Sequence, residues 1–170
     1  MEQRLKKIKP GALTDNVFRM LGDEWFLFTA GDLVSWNTMT AAWGGLGYLW
    51  ERPVAFGFVR PQRYTYQFTE RRSHFTFCFL GRQHRKALRF CGSHSGRDCD
   101  KAAGAGLTPA ATRLGNVYFK EARLVLECRK IYWQDVDPAH FVDEALHTIY
   151  PARDYHRMYV GEIVNCLVKP

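Results

Sequence analysis

Between two apolar, strand-like runs the chain places Asn37-Thr38-Met39-Thr40-Ala41-Ala42-Trp43-Gly44-Gly45, and this stretch constrains what the rest can build. Leu27-Phe28-Thr29-Ala30 precedes it and Val54-Ala55-Phe56-Gly57-Phe58-Val59 follows it. A fully buried core strand does not carry Asn and two Thr so close together, because each polar group would need its own buried partner. A surface loop seldom carries Met and Trp beside glycines. The mixture suits a wall that hydrogen-bonds a polar ring edge and packs against a flat ring face. In secondary structure it reads as a Gly/Thr-rich turn between two strands.

The flanking sequence is mostly short apolar runs ended by Gly or Pro. Residues 25–31 read as a strand stopped by Gly31, and residues 54–60 as a second strand stopped by Pro61. After Pro61, residues 62–68 read as a short helix starting near Arg60. Residues 73–80 alternate Phe75, Phe77 and Phe79 with Thr76 and Cys78, a strand with its aromatics on one side. Residues 85–91 have helical spacing and close at Gly92, and residues 98–105 read as another short helix capped by Ser95 or Asp98. Residues 118–119 with 122–132 read as a long strand or hairpin arm, 140–149 as a helix or ordered loop, and 157–168 as a closing strand. Pro10-Gly11-Ala12-Leu13 is an extended lead-in. Six or so strands with short inserted helices fit a mainly β fold, a small Greek-key barrel, since closure removes unpaired edges. A length of 170 residues is expected to be one domain.

No run approaches the roughly 18–20 apolar residues of a membrane span. The charged start, residues 1–9, is followed by Pro10 and not by an apolar signal core, so a cytoplasmic location is expected. Five cysteines with no C-x-x-C spacing are expected to be reduced thiols. Cys91, His94 and Cys99 match no standard zinc pattern. The formal charge is +7, with basic clusters only at Arg4-Leu5-Lys6-Lys7 and at residues 82–89. A generally basic surface is favoured over nucleic-acid binding. There is no G-x-G-x-x-G after a strand, no P-loop and no nucleophile elbow.

Three later segments add to the first. They are Val59-Arg60-Pro61-Gln62-Arg63-Tyr64-Thr65-Tyr66, then Phe90-Cys91-Gly92-Ser93-His94-Ser95-Gly96-Arg97-Asp98-Cys99-Asp100-Lys101, and Asp154-Tyr155-His156-Arg157-Met158-Tyr159-Val160-Gly161-Glu162-Ile163. In this order the set resembles the flavin reductase-like proteins with an FMN-binding split barrel, most of all the flavoredoxin branch, from about residue 10 onward. The resemblance implies bound FMN, NADH or NADPH or a redox protein as electron donor, a small-molecule or protein acceptor, and a homodimer with the flavin near its interface. It implies a flavin reductase or flavoredoxin-type electron carrier; the alternative is a non-catalytic FMN- or heme-binding module on the same barrel.

A flavin needs N–H groups, hydroxyls and a cation for its phosphate, aromatics or Met for its ring, and donors for its pyrimidine edge. For the phosphate the residues on offer are Arg60, Arg63, Tyr64 and Thr65 at one expected helix start, and Ser93, Ser95, Gly96 and Lys101 near another. Read alone, Ser95 merely caps a helix and Arg60 merely solvates a strand end; the resemblance assigns both to the cofactor. For the ring and ribityl chain it assigns Asn37, Thr38, Met39, Thr40 and Ala41, with Trp43 covering or flanking the ring. Cys91 is expected in the pocket wall. His156 faces either the flavin or a partner, or is structural. Thr29 is expected to lose only a strand-surface hydroxyl if replaced, whereas the Thr40 hydroxyl is expected to bond the flavin.

Overall fold

The computed structural model describes residues 5–170; residues 1–4, including Arg4 of the first basic cluster, lie outside the described residues. The strands are β1 (Lys6–Ile8), β2 (Phe26–Gly31), β3 (Trp36–Ala41), β4 (Gly44–Leu49), β5 (Arg52–Val59), β6 (His74–Phe79), β7 (Pro109–Ala111), β8 (Val117–Phe119), β9 (Leu124–Asp135) and β10 (Arg157–Val168). The α-helices are α1 (Tyr64–Arg71), α2 (Arg85–Ser93) and α3 (Lys101–Ala105). The chain is therefore mainly β, as the alternation and the turn residues indicated.

Strand pairing runs β3-β2-β6-β9-β10-β5-β4, all antiparallel, with β1 added alongside the end of β10. β3 and β4 lie at opposite ends of this order, yet only Ala42 and Trp43 connect them. Consecutive Cα atoms are about 3.8 Å apart, so the two edges cannot be separated by more than about 11 Å at that point. The sheet has to curl until its edges meet, which is the split barrel.

Alternation then sorts the side chains. Phe26 and Phe28 of β2, Phe75, Phe77 and Phe79 of β6, Leu124 and Leu126 of β9 and Tyr159 of β10 fill the barrel. Phe26 lies 4.4 Å from Phe77 and Phe28 lies 4.8 Å from Phe75, ring centre to ring centre. The alternate residues Leu27, Cys78, Leu80 and Val125 point outward and are covered by Ala87, Leu88 and Cys91 of α2 and by Phe119 of β8. Central strands are thus buried on both faces, which is why they read as nearly continuous apolar runs.

Two interior glycines make room for the rings. A Cβ on Gly57 would lie 2.8 Å from Phe77 Cζ, and one on Gly161 would lie 2.5 Å from Phe75 Cζ and 2.7 Å from Cys128 Cβ.

Several expectations change. Residues 37–41, read as a turn, form strand β3, because Thr29 and Thr38 on facing strands satisfy each other (Oγ1–Oγ1 2.8 Å). Thr29 is consequently buried and bonded, not a surface hydroxyl. β4 is a strand despite Gly44, Gly45 and Gly47, since β5 supplies its ladder partner along its whole length. The lead-in at 10–12 is a 3₁₀ turn, and residues 138–140 and 144–149 form two further 3₁₀ turns. The α3 cap is Asp100, which accepts from the N–H groups of Ala102 (2.9 Å) and Ala103 (3.1 Å), not Ser95 or Asp98. Among the described residues no helix is long and apolar enough to cross a membrane.

Gly161→Ala should destabilise the protein by about 1–3 kcal/mol through overpacking against Phe75. Gly22→Ala, where an added Cβ meets nothing within 4 Å, should change stability by no more than about 0.5 kcal/mol. Urea unfolding of both variants checks this; equal effects would mean that the barrel interior has slack.

Candidate functional site

The closure point at Ala42-Trp43, the α1 start and the turn after α2 converge on a cavity of about 680 Å³. This lies within the usual size range of ligand sites. Of the residues expected at the site, Asn37, Met39, Thr40, Ala41, Trp43, Arg60, Arg63, Tyr64, Thr65, Ser93, Ser95 and Lys101 line it.

Each wall has a local cause. β3 is an edge strand paired only with β2, so its outer side keeps backbone groups free for other partners. Lys101 takes one of them. Its buried Nζ donates to Thr38 O (2.7 Å) and to Cys91 O (2.8 Å). Burial lowers the Lys101 pKa, and the nearby Arg63 lowers it further. Asn37 Nδ2 donates to Thr65 Oγ1 (2.8 Å), tying β3 to the first turn of α1. Gly96 is needed next to this contact, because a Cβ there would overlap Asn37 Oδ1.

α1 begins at Tyr64 with no side-chain cap, so its first N–H groups need other partners. Arg63 and Arg97 flank this end. Arg63 donates to Gly92 O (3.0 Å), and Arg97 donates to Gln62 O (3.3 Å) while lying over the Tyr64 ring at 4.7 Å. Neither is paired with a carboxylate among the described residues. Arg60 differs: it is bonded to Asp154 (2.7 Å) and to Ile149 O (3.1 Å), and it lies 4.9 Å over the Tyr150 ring. The Arg60 hydrogen bond in turn holds the Asp154 carboxyl below the usual carboxylate range. Arg60 lines the cavity, but its charge is already neutralised.

The other wall is apolar and aromatic. His156 sits 5.2 Å from Trp43 and 6.3 Å from Phe58, ring centre to ring centre. Its Nδ1 is 2.8 Å from Tyr150 Oη, and its other ring nitrogen has no protein partner among the described residues. Burial, with Arg60 nearby, pushes the His156 pKa down to about 4.

Three expected site residues do not line the cavity. Thr38 is fully buried, its hydroxyl bonded to Thr29 and to Phe28 O (3.3 Å) within the β2–β3 pairing. Cys91 is on the buried side of α2 among Leu27, Cys78 and Leu88, so it is not a wall residue. Gly96 supports the wall through Asn37 without lining it. Two further expectations change. Ser93 ends α2 and does not stand near a helix start, and its hydroxyl donates to Arg89 O (2.9 Å). The Thr40 hydroxyl donates to Leu88 O, so its hydrogen is already committed to the protein. Sequence reasoning missed Ala42, Phe58, Gln62, His94 and Arg97. Arg97 was in plain view, the only cation in a Ser/Gly-rich turn; no period marked Phe58 or Gln62.

The donor set suits a phosphorylated ring compound. Arg63, Arg97 and the α1 start answer a phosphate, and Met39, Trp43 and Phe58 answer a flat ring.

An antiparallel barrel closed at a two-residue crossing, with such a cavity at the crossing, defines a class, and the sequence match names it. The flavin reductase like domain matches residues 37–170, and the chain belongs to that family. Flavoredoxin of Desulfovibrio vulgaris (Miyazaki F) is 25% identical, with a TM-score of 0.67 over 96% of this chain and 77% of that one. Flavoredoxin from Methanosarcina acetivorans is 23% identical, with a TM-score of 0.65 over 95% and 74% of the two chains. The NADH:FAD oxidoreductase SgcE6 of Streptomyces globisporus C-1027, solved with NAD and FAD fragments, is 18% identical, with a TM-score of 0.65 over 86% and 75%. No match to a curated protein was found.

His156 generates a pH dependence. Between about pH 6.5 and pH 4 the unfolded chain takes up a proton at this residue and the folded chain does not. Its contribution to stability is therefore complete above the unfolded pKa and is lost as pH falls through this window, by up to about 3 kcal/mol. Urea unfolding across this range should show the loss, and His156→Gln should flatten it. A wild-type profile that matches the variant would place the titration elsewhere.

Proposed function

We propose that this chain is an FMN-binding flavoprotein that transfers electrons, as a flavin reductase or a flavoredoxin-type carrier, with NADH, NADPH or a redox protein as donor. One observation carries the reading. One cavity joins two arginines that have no carboxylate partner among the described residues, at the uncapped start of α1, to a wall made by Met39, Trp43, Phe58 and His156.

Arg63 and Arg97 would hold the phosphate, with the N–H groups at the α1 start. The outer edge of β3 would meet the ring through its backbone, consistent with the Thr40 and Thr38 hydroxyls being spent inside the protein. Trp43 and Phe58 shield one side of the cavity from water. Tyr150 fixes the His156 ring, which stays neutral at ordinary pH and adds no charge beside a ring that takes up electrons. When bound, a flavin supplies both one- and two-electron redox chemistry.

A charge-assisted bond to phosphate contributes on the order of 1.5–3 kcal/mol. FMN should therefore bind roughly 10- to 100-fold tighter than riboflavin. Calorimetry with both ligands tests this, and Arg63→Ala and Arg97→Ala should each narrow the gap. Equal affinities would remove the phosphate assignment. Purified protein should be yellow and bleach anaerobically with NADH or NADPH; a colourless protein or a Soret band would favour a different occupant.

The homodimer belongs to the same proposal. Trp43, Tyr48, Trp50 and Trp133 are all about half exposed or more, and Trp50 lies 5.7 Å from Tyr132. Exposed aromatics on β4, β9 and the turns beside β4 suit an interface core, and Trp43 belongs to both this surface and the cavity. Trp50→Asp should shift sedimentation from dimer to monomer and weaken flavin retention. A wild-type monomer holding one flavin per chain would refute it. The expected cytoplasmic location goes with this reading, supported by five unpaired thiols.

A further inference from the structure

The second basic cluster remains unused by the cavity. From Gly81 to Arg97 the chain carries Arg82, Arg85, Lys86, Arg89 and Arg97, with no carboxylate among them. Arg82, Lys86 and Arg89 are exposed on one side of α2 and the turn before it. Among the described residues the cluster's one ion pair is with Asp23: Arg82 lies 4.0 Å from its carboxylate, and Arg85 donates to its backbone oxygen, while the adjacent Glu24 is paired with Arg123. Lys86 and Arg89 have no carboxylate partner among the described residues. Arg85 is laid over the Trp25 ring at 4.0 Å, and Trp25 itself has a left-handed backbone (φ 67°). Together they border a surface depression of about 600 Å³.

Folding does not account for the charge of Lys86 and Arg89. Arg85 and Lys86 occupy the first turn of α2, which contains no acid. Cations at a helix N-terminus oppose the helix dipole, so the arrangement costs stability. The patch also leads to the cavity. α2 buries Ala87, Leu88 and Cys91 beneath it, and its last residue, Ser93, lines the cavity. Eight residues of helix span about 12 Å. A second copy of this chain would bring like charges together on this face, and a small anion would find no buried donors here.

We propose that the exposed face of α2, centred on Arg82, Lys86 and Arg89 beside Trp25, is the docking surface for an acidic redox protein that delivers electrons to the cavity. This rests on the flavoprotein reading above. Two molecules of a one-electron donor are each oxidised by one electron, and the flavin takes up those two electrons together with two protons from water. Opposite charge steers the encounter and makes it sensitive to salt.

The test uses an acidic [2Fe–2S] ferredoxin as probe and the triple variant Arg82→Glu/Lys86→Glu/Arg89→Glu. The variant should fold, since acids at the α2 start favour the dipole. In the first arm, oxidised ferredoxin is titrated against flavin-free protein. Wild type should bind, and the variant should bind at least 10-fold more weakly. In the second arm, FMN-loaded protein is mixed anaerobically with reduced ferredoxin. Flavin reduction should be at least 10-fold slower in the variant, and should slow in wild type as salt rises, with flavin content and visible spectrum the same in both. Equal binding, or equal and salt-independent reduction, overturns the proposal. Tighter wild-type binding to duplex DNA than to ferredoxin would also overturn it, in favour of a nucleic-acid surface. A chain that takes up no flavin fails the earlier reading, and the binding arm still decides the surface.

Discussion

The crossing from β3 to β4 in two residues is the constraint on which the rest depends. It forces the ends of a seven-strand path together, and so creates both an interior and a rim. The interior is filled by phenylalanines from β2 and β6, with glycines on β5 and β10 where rings from two sides need the same space. The rim is where β3 ends, where Trp43 turns and where α1 and α2 arrive. The cavity lies at the crossing because closure leaves β3 with an outer edge that no neighbouring strand covers.

Much of this was legible in the sequence, and particular residues show why. Phe75, Phe77 and Phe79 alternate strictly, so β6 and its inward face followed from period alone. Residues 85–91 repeat at helical spacing, so α2 followed as well. The strand β4 did not, because Gly44, Gly45 and Gly47 remove both propensity and pattern; its existence depends on β5, and no local signal reports a pairing partner. The region 137–156 has neither period, and its short turns are held by tertiary contacts such as Arg60 with Asp154.

The candidate site was readable as segments more than as roles. The four segments meet, yet Thr38 and Cys91 stay behind the cavity wall, Thr38 bonded to Thr29 between β2 and β3 and Cys91 packed beneath α2. Arg60 was expected at the phosphate and is neutralised by Asp154, ninety-four positions away. Arg97 was passed over and is one of the two arginines left with charge to spare. Charge pairing over such distances cannot be read along the chain, so a sequence identifies which cations are near a site better than which remain available there.

Burial also decides the behaviour of the cysteines. Cys78 is pushed up to about 12, Cys91 and Cys166 to about 11, and Cys128 well above the ordinary thiol value, in each case chiefly by desolvation. At neutral pH fewer than about one in a thousand of these groups is a thiolate, the form that reacts. Cys91 lies two residues before the cavity-lining Ser93 and is nevertheless held as the protonated thiol. Cys128 and Cys166 lie in the barrel core and Cys78 and Cys91 beneath α2, so burial keeps all four as protonated thiols behind a cavity that opens to solvent.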